Sequence, residues 1–96
     1  MNHKRIRWTV RALRRLDEIG AHIEHEDPDA AARVVARLVA SVDMLVEFPG
    51  AGRLGRIAGT REIVLSDIPY IIPYRVRQDI EIITVMHASQ KWPKRL

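Results

Sequence analysis

Asp27-Pro28-Asp29 is the point that most restricts how this chain can fold. It separates two segments with apolar residues at helical spacing, and leaves room for a connection of only one or two residues. Upstream, Leu13, Leu16, Gly20 and Ile23 recur at steps of three and four, with Ile19 beside them. Downstream, Ala31, Val34, Val35, Leu38, Val42, Leu45 and Val46 form a second stripe. Such stripes are the buried faces of amphipathic helices. Thr9 is a suitable cap for the first, expected over residues 10–26. Asp27 caps the second, with Pro28 at its first position and Asp29 near the positive helix end. Helices joined this tightly pack as an antiparallel hairpin. Gly20 weakens its helix, and close approach of the second helix explains its presence.

Outside the hairpin the period changes. Ile6, Trp8 and Val10 alternate with Arg5, Arg7 and Thr9, the pattern of a strand with one buried face. Phe48-Pro49-Gly50 ends the second helix, and residues 49–60 hold four of the five glycines. Three β-rich runs come next, at 62–66, 70–77 and 80–87, separated by Ser66-Asp67-Ile68-Pro69 and Gln78-Asp79. Those turns are short enough for antiparallel hairpins. Pro73 cannot donate to a ladder and marks an edge or a bulge. The expected fold is α+β: an N-terminal strand, a two-helix antiparallel hairpin, then a three-stranded antiparallel meander packed against the helices. No linker divides the 96 residues, so residues 1–96 are expected to form a single domain.

Composition narrows the function classes. The absence of cysteine removes disulfides, a thiolate nucleophile and Cys-based zinc sites. The apolar runs are far shorter than the ~20 residues of a membrane span, and no apolar stretch comes after Lys4-Arg5 as a secretory signal would require. No membrane partner is expected, and a cytoplasmic location fits. Net charge is +4, and 13 of the 16 basic residues are arginine. Residues 1–48 carry eight basic and eight acidic side chains, residues 49–96 eight and four. Within the first half, six basic residues fall in 1–15 and six acidic ones in 17–29. Arginine's planar fork suits phosphate or carboxylate, so nucleic acid or an acidic protein segment is the expected partner.

Several motifs bear on chemistry. Gly50-Ala51-Gly52-Arg53-Leu54-Gly55 matches the dinucleotide pattern G-x-G-x-x-G, which works only after a strand and before a helix in a βαβ unit. Here it lies after a helix and precedes strands, so no nucleotide cofactor is expected. The segment is read instead as a flexible connector presenting Arg53 and Arg56. His22 and His25 share a helix but lack a third ligand, and no metal is expected. His87 ends the last run and, by alternation, shares a face with Glu81, Ile83 and Val85. An imidazole there is a candidate general acid or base. Metal-free phosphodiester cleavage also needs cations, available from Arg53, Arg56, Arg61, Arg75, Arg77, Arg95, Lys91 and Lys94. Only His87, Glu62, Glu81 and the two tyrosines could move protons. Trp92 between Lys91 and Lys94 could stack on a base, but near a chain end it more often seals a core.

Three stretches carry a resemblance: Gly59 to Val64, Pro69 to Val76, and Ile82 to His87, closed by Trp92-Pro93. With Trp8-Thr9, Asp27-Pro28 and Phe48-Pro49 at the front, they resemble the RelE/ParE superfamily of toxins over nearly the whole chain. The resemblance implies a toxin of a type II toxin–antitoxin system, a growth inhibitor held inactive by a cognate protein antitoxin with an acidic amphipathic C-terminal segment. It implies one of two targets. RelE-like members cut ribosome-bound messenger RNA with basic residues and a C-terminal tyrosine or histidine; here His87, Arg61 and Lys91 would form the catalytic set. ParE-like members inhibit DNA gyrase without cleavage. The basic residues expected near the end of the second strand and the start of the third are replaced by Ser66 and Tyr70-Ile71. Each missing charge stabiliser is worth about 3–4 kcal/mol, which tilts the expectation to gyrase inhibition and leaves enzymatic activity open. A third reading is a decayed, non-toxic basic binding module. Arg53, Arg56, Arg75, Arg77, Trp92 and Arg95 are the residues expected to contact the antitoxin or target.

Overall fold

The computed structural model describes residues 4–96. Strand β1 spans Ile6–Trp8 and runs into helix α1, Val10–Glu24. Thr9 joins them in extended conformation, and its Oγ1 accepts from Ala12 N at 3.0 Å while donating to the Ile82 carbonyl. One residue thus caps the helix and ties it to the sheet. Helix α2, Pro28–Val42, opens on Asp27, whose Oδ1 accepts from Ala30 N, and tightens into a 3-10 turn over Asp43–Val46. The two helices pack as the expected hairpin. A Cβ on Gly20 would lie 3.2 Å from Val35 Cγ2, so glycine sits where the helices come closest.

The sheet contains β2 (Arg53–Leu54), β3 (Arg61–Val64), β4 (Tyr70–Val76), β5 (Ile80–Ile82) and β6 (Met86–His87). Its order is β1-β5-β4-β3-β2, with β6 also pairing to β4. β1 lies parallel to β5 and the other pairs are antiparallel. The helix pair covers one face, where Leu16, Ile19, Leu38, Val42 and Leu45 meet Ile63, Ile72, Tyr74, Ile80 and Ile82. No helix among the described residues is long and apolar enough to cross a membrane.

Three features depart from the sequence expectation. First, the glycine-rich segment is not a slack connector: β2 forms within it and pairs with β3, and Gly52 N donates to Tyr74 Oη at 2.8 Å. A Cβ on Gly52 would fall 2.6 Å from that ring, so glycine there permits close packing. Tyr74 Oη in turn donates to the Pro49 carbonyl. Second, Pro73 lies in the central strand β4, beside a bulge. Its carbonyl accepts from Ile83 N, so the missing N–H faces the break between β5 and β6, where no ladder bond is lost.

Third, the bulge reverses the facing of the residues after it. Tyr74 opposes Ile82, whereas Ile71, three residues earlier, opposes Met86, four residues later. The extra residue puts His87 opposite Tyr70, on the helix-covered side, while Glu81 stays on the other face with Arg7 and Arg75. The face shared by His87 and Glu81, expected from strict alternation, does not exist.

Candidate functional site

The uncovered face of the sheet carries two rows of side chains set by strand register. In the first, Arg7, Glu81 and Arg75 stand side by side on β1, β5 and β4. Glu81 accepts from Arg7 and lies 3.6 Å from Arg75 Nη1, with Asp79 4.0 Å from Arg7. The second row pairs Arg53 of β2 with Glu62 of β3. Glu62 is only 1% exposed. Its Oε1 accepts from Arg53 Nε and Nη2 at 3.0 and 2.8 Å, and its Oε2 from Arg56 N and Nε at 3.0 and 3.3 Å. Burial pushes the Glu62 carboxyl up, but the Arg56 backbone N–H and the two guanidinium groups outweigh it and hold the group below its usual range.

Arg56 also lies over the Trp92 ring, 3.8 Å from its centroid. This cation–π contact fastens the C-terminal segment to the sheet. Trp92 is half-buried, and its Nε1 is buried with no acceptor among the described residues.

The candidate cleavage set does not converge. His87 packs edge-on against Tyr70, with ring centroids 5.3 Å apart, and its Nδ1 lies 2.8 Å from Ser89 Oγ and 3.1 Å from Ser89 N. Arg61 opposes Tyr74 at the far end of β4, and its Nη1 donates to the Gly52 carbonyl at 2.9 Å. Tyr70 and Tyr74 are four residues apart on β4, and His87 and Arg61 flank that strand from opposite sides. Their backbones are therefore about 16 Å apart, from ~3.3 Å per residue along the strand and ~4.8 Å between strands. Lys91 is exposed, and no partner holds it among the described residues.

Among the other expected contact residues, Arg53, Arg56 and Arg75 already serve carboxylates of the chain. The side chains of Arg77 and Arg95 are exposed and unpaired among the described residues. His22 and His25 join no group of three metal-ligating side chains among those residues.

Sequence reasoning missed the open outer edge of β3. β2 pairs only with Arg61 and Glu62, so the next outward-facing backbone position, Val64, has no strand beside it among the described residues. A groove lined by Met44, Ala51, Gly52, Arg53, Glu62, Ile63 and Val64 runs along this edge, with Met44 48% and Val64 47% exposed; Phe48 and Leu54, before and within β2, are exposed as well. A strand edge bordered by apolar side chains is a template for an added extended segment. The signal lay in Leu54 and Val64, large apolar residues with no place in either stripe.

Residues 6–92 match the family model of the ParE toxin of type II toxin–antitoxin system, parDE. Y4kP of Sinorhizobium fredii, whose name classes it with the toxins, is 70% identical over 94 residues, 98% of each chain. Toxin RelE2 of Caulobacter vibrioides is 39% identical over 84 residues, 86% of this chain and 93% of that one. A chain of the chromosomal ParDE toxin–antitoxin system from P. aeruginosa superposes with a TM-score of 0.83 at 28% identity, covering 91% of this chain and 98% of its own. The pairing of a helix hairpin with a mixed sheet is thus a shared architecture, and this chain belongs to the ParE toxin family within the RelE/ParE superfamily.

Proposed function

We propose that this toxin acts by binding, as a ParE-like inhibitor of DNA gyrase, and is neutralised by an acidic amphipathic segment of a cognate antitoxin. The observation that carries the reading is the dispersal of the cleavage candidates. His87 and Arg61 stand at opposite ends of β4, each engaged in local hydrogen bonds. Acid–base cleavage needs its groups within hydrogen-bond reach of one phosphodiester. Inhibition by surface complementarity has no such requirement. The open β3 edge and its apolar surround support an extended antitoxin segment docking there.

The second reading, ribosome-dependent cleavage of messenger RNA, draws on the similarity to the protein named RelE2. His87→Ala separates the two. Under gyrase inhibition the variant kills almost as well as the parent, cells show a DNA-damage response, and purified gyrase loses supercoiling activity. Under cleavage, loss of a general acid or base costs about 10²–10⁴-fold and abolishes killing. Messages cut in codon phase within minutes of induction, with supercoiling normal, would overturn the gyrase reading.

A further inference from the structure

A second cleft lies on the opposite flank of the sheet from the β3 edge. The first turns of α1 meet the bulge there, enclosing about 390 Å³. Arg11, Arg14 and Arg15 line one wall, Thr84 and Gln90 the other, and Val10 forms an apolar lip that is 65% exposed. Arg15 Nε donates to the Val85 carbonyl, which the bulge frees from the ladder; this fixes the guanidinium and leaves its other N–H groups available. Arg11 and Arg14 make no ion pair among the described residues.

Thr84 contributes from the facing wall. The residue is 3% exposed, and its hydroxyl, unpaired among the described residues, is not one of their buried polar atoms and so reaches solvent. Lining the cleft, it offers a donor to an incoming oxygen.

We propose that this cleft seats a side-chain carboxylate of the antitoxin's acidic amphipathic segment, held by Arg14, Arg15 and the Thr84 hydroxyl. The inference rests on the neutralisation reading above and names where acidity is recognised. The arginines of the sheet face are not free for that task, because Glu62 and Glu81 occupy them. Two features select a peptide over a phosphodiester strand. Val10 and Met86 give the cleft apolar walls, and Glu18 shares it, repelling a polymer that carries a charge on every unit. An isolated carboxylate flanked by apolar side chains satisfies both.

The test is calorimetric titration of the full-length chain with the antitoxin encoded beside it, comparing the parent with Thr84→Val, Arg14→Glu and Arg33→Glu. Arg33 is exposed on α2, so its reversal changes the net charge equally, away from the cleft. Hydrogen bonds to charged groups translate into about ten- to hundredfold in affinity, so Thr84→Val and Arg14→Glu should weaken binding by at least about tenfold. Arg33→Glu should stay within about twofold. Unchanged melting temperatures establish that the variants are folded. Parental affinity in Thr84→Val and Arg14→Glu, or equal losses in Arg14→Glu and Arg33→Glu, would overturn the proposal while leaving an antitoxin bound elsewhere. If the parent itself binds no antitoxin, the neutralisation reading falls as well. A labelled oligonucleotide whose binding depends on Thr84 and Arg14, when antitoxin binding does not, would assign the cleft to phosphate and overturn it too.

Discussion

Replacing Glu62 by glutamine tests how the sheet face is held. The carboxylate is 1% exposed and accepts four hydrogen bonds, two from Arg53 and two from Arg56. Glutamine keeps one acceptor oxygen and turns an NH₂ group toward donors, so about half of these bonds fail and one contact becomes repulsive. Removing one partner of a buried pair costs about 3–5 kcal/mol, and hydrogen bonds to charged groups about 1.5–3 kcal/mol each. The side chains of Arg53 and Arg56 are 53% and 42% exposed and recover hydration, which pulls the loss down. We expect about 2–4 kcal/mol of a total near 5–14 kcal/mol for a chain of this length, or a melting temperature lower by about 10–25 °C. Urea unfolding followed by tryptophan fluorescence measures it, since Trp92 stacks on Arg56 itself. The loss should depend on pH. Because the folded carboxyl sits below its ordinary value, its contribution is full above the unfolded pKa and disappears as pH falls through the folded one. Parent and variant should therefore converge in acid. A difference under about 0.5 kcal/mol at neutral pH, or one that stays constant into acid, would mean that the ionised Glu62 is not what holds these arginines.

Glycine positions in the loop should differ sharply. Gly52→Ala places a methyl 2.6 Å from Tyr74 and 2.8 Å from the Glu62 carbonyl, and should cost about 1–3 kcal/mol in chemical denaturation. Gly50→Ala approaches only Arg61 Cζ, at 4.0 Å, and should leave stability within about 0.5 kcal/mol. Tyr74→Phe removes the acceptor of Gly52 N and the donor to Pro49, and should lower stability by about 1–3 kcal/mol. Burial pushes the Tyr74 hydroxyl up, so absorbance titration of the folded parent, compared with Tyr74→Phe, should show Tyr74 ionising above its ordinary value. Arg37→Ala breaks the exposed pair with Asp67 and should leave the melting temperature almost unchanged, with any difference vanishing in high salt.

Where the code was local, the sequence was read correctly. Thr9, Asp27 and Pro28 announce helix starts through their own side chains, and Gly20 announced a close crossing because nothing else justifies a glycine in an apolar stripe. The failures share a non-local cause. Gly52 is required by Tyr74, 22 residues away in the chain, so the segment around it looked slack when it is packed. Arg53 seemed free for a partner because its carboxylate comes from β3, through a register no local pattern reveals. His87 was given the wrong face because alternation holds only until a strand bulges. Pro73 did signal an irregularity, but the strand that bulges is its neighbour, at Ile83.

That irregularity sets a phase for everything C-terminal to it. The segment 83–85 holds one residue more than strict alternation allows: removing it would straighten the strand and leave Met86 opposite Ile71 and His87 opposite Tyr70, each on its present side of the sheet. Relatives one residue shorter here would keep both facings and lose only the bulge, whereas relatives of equal length with an unbroken ladder would exchange them. Alignments that place such a gap outside 83–85 would equate residues that stand on opposite faces of the sheet. Within this family, target preference should therefore be compared with the facing of that segment and not with its length alone, because an unbroken ladder of equal length changes more of the surface than several substitutions.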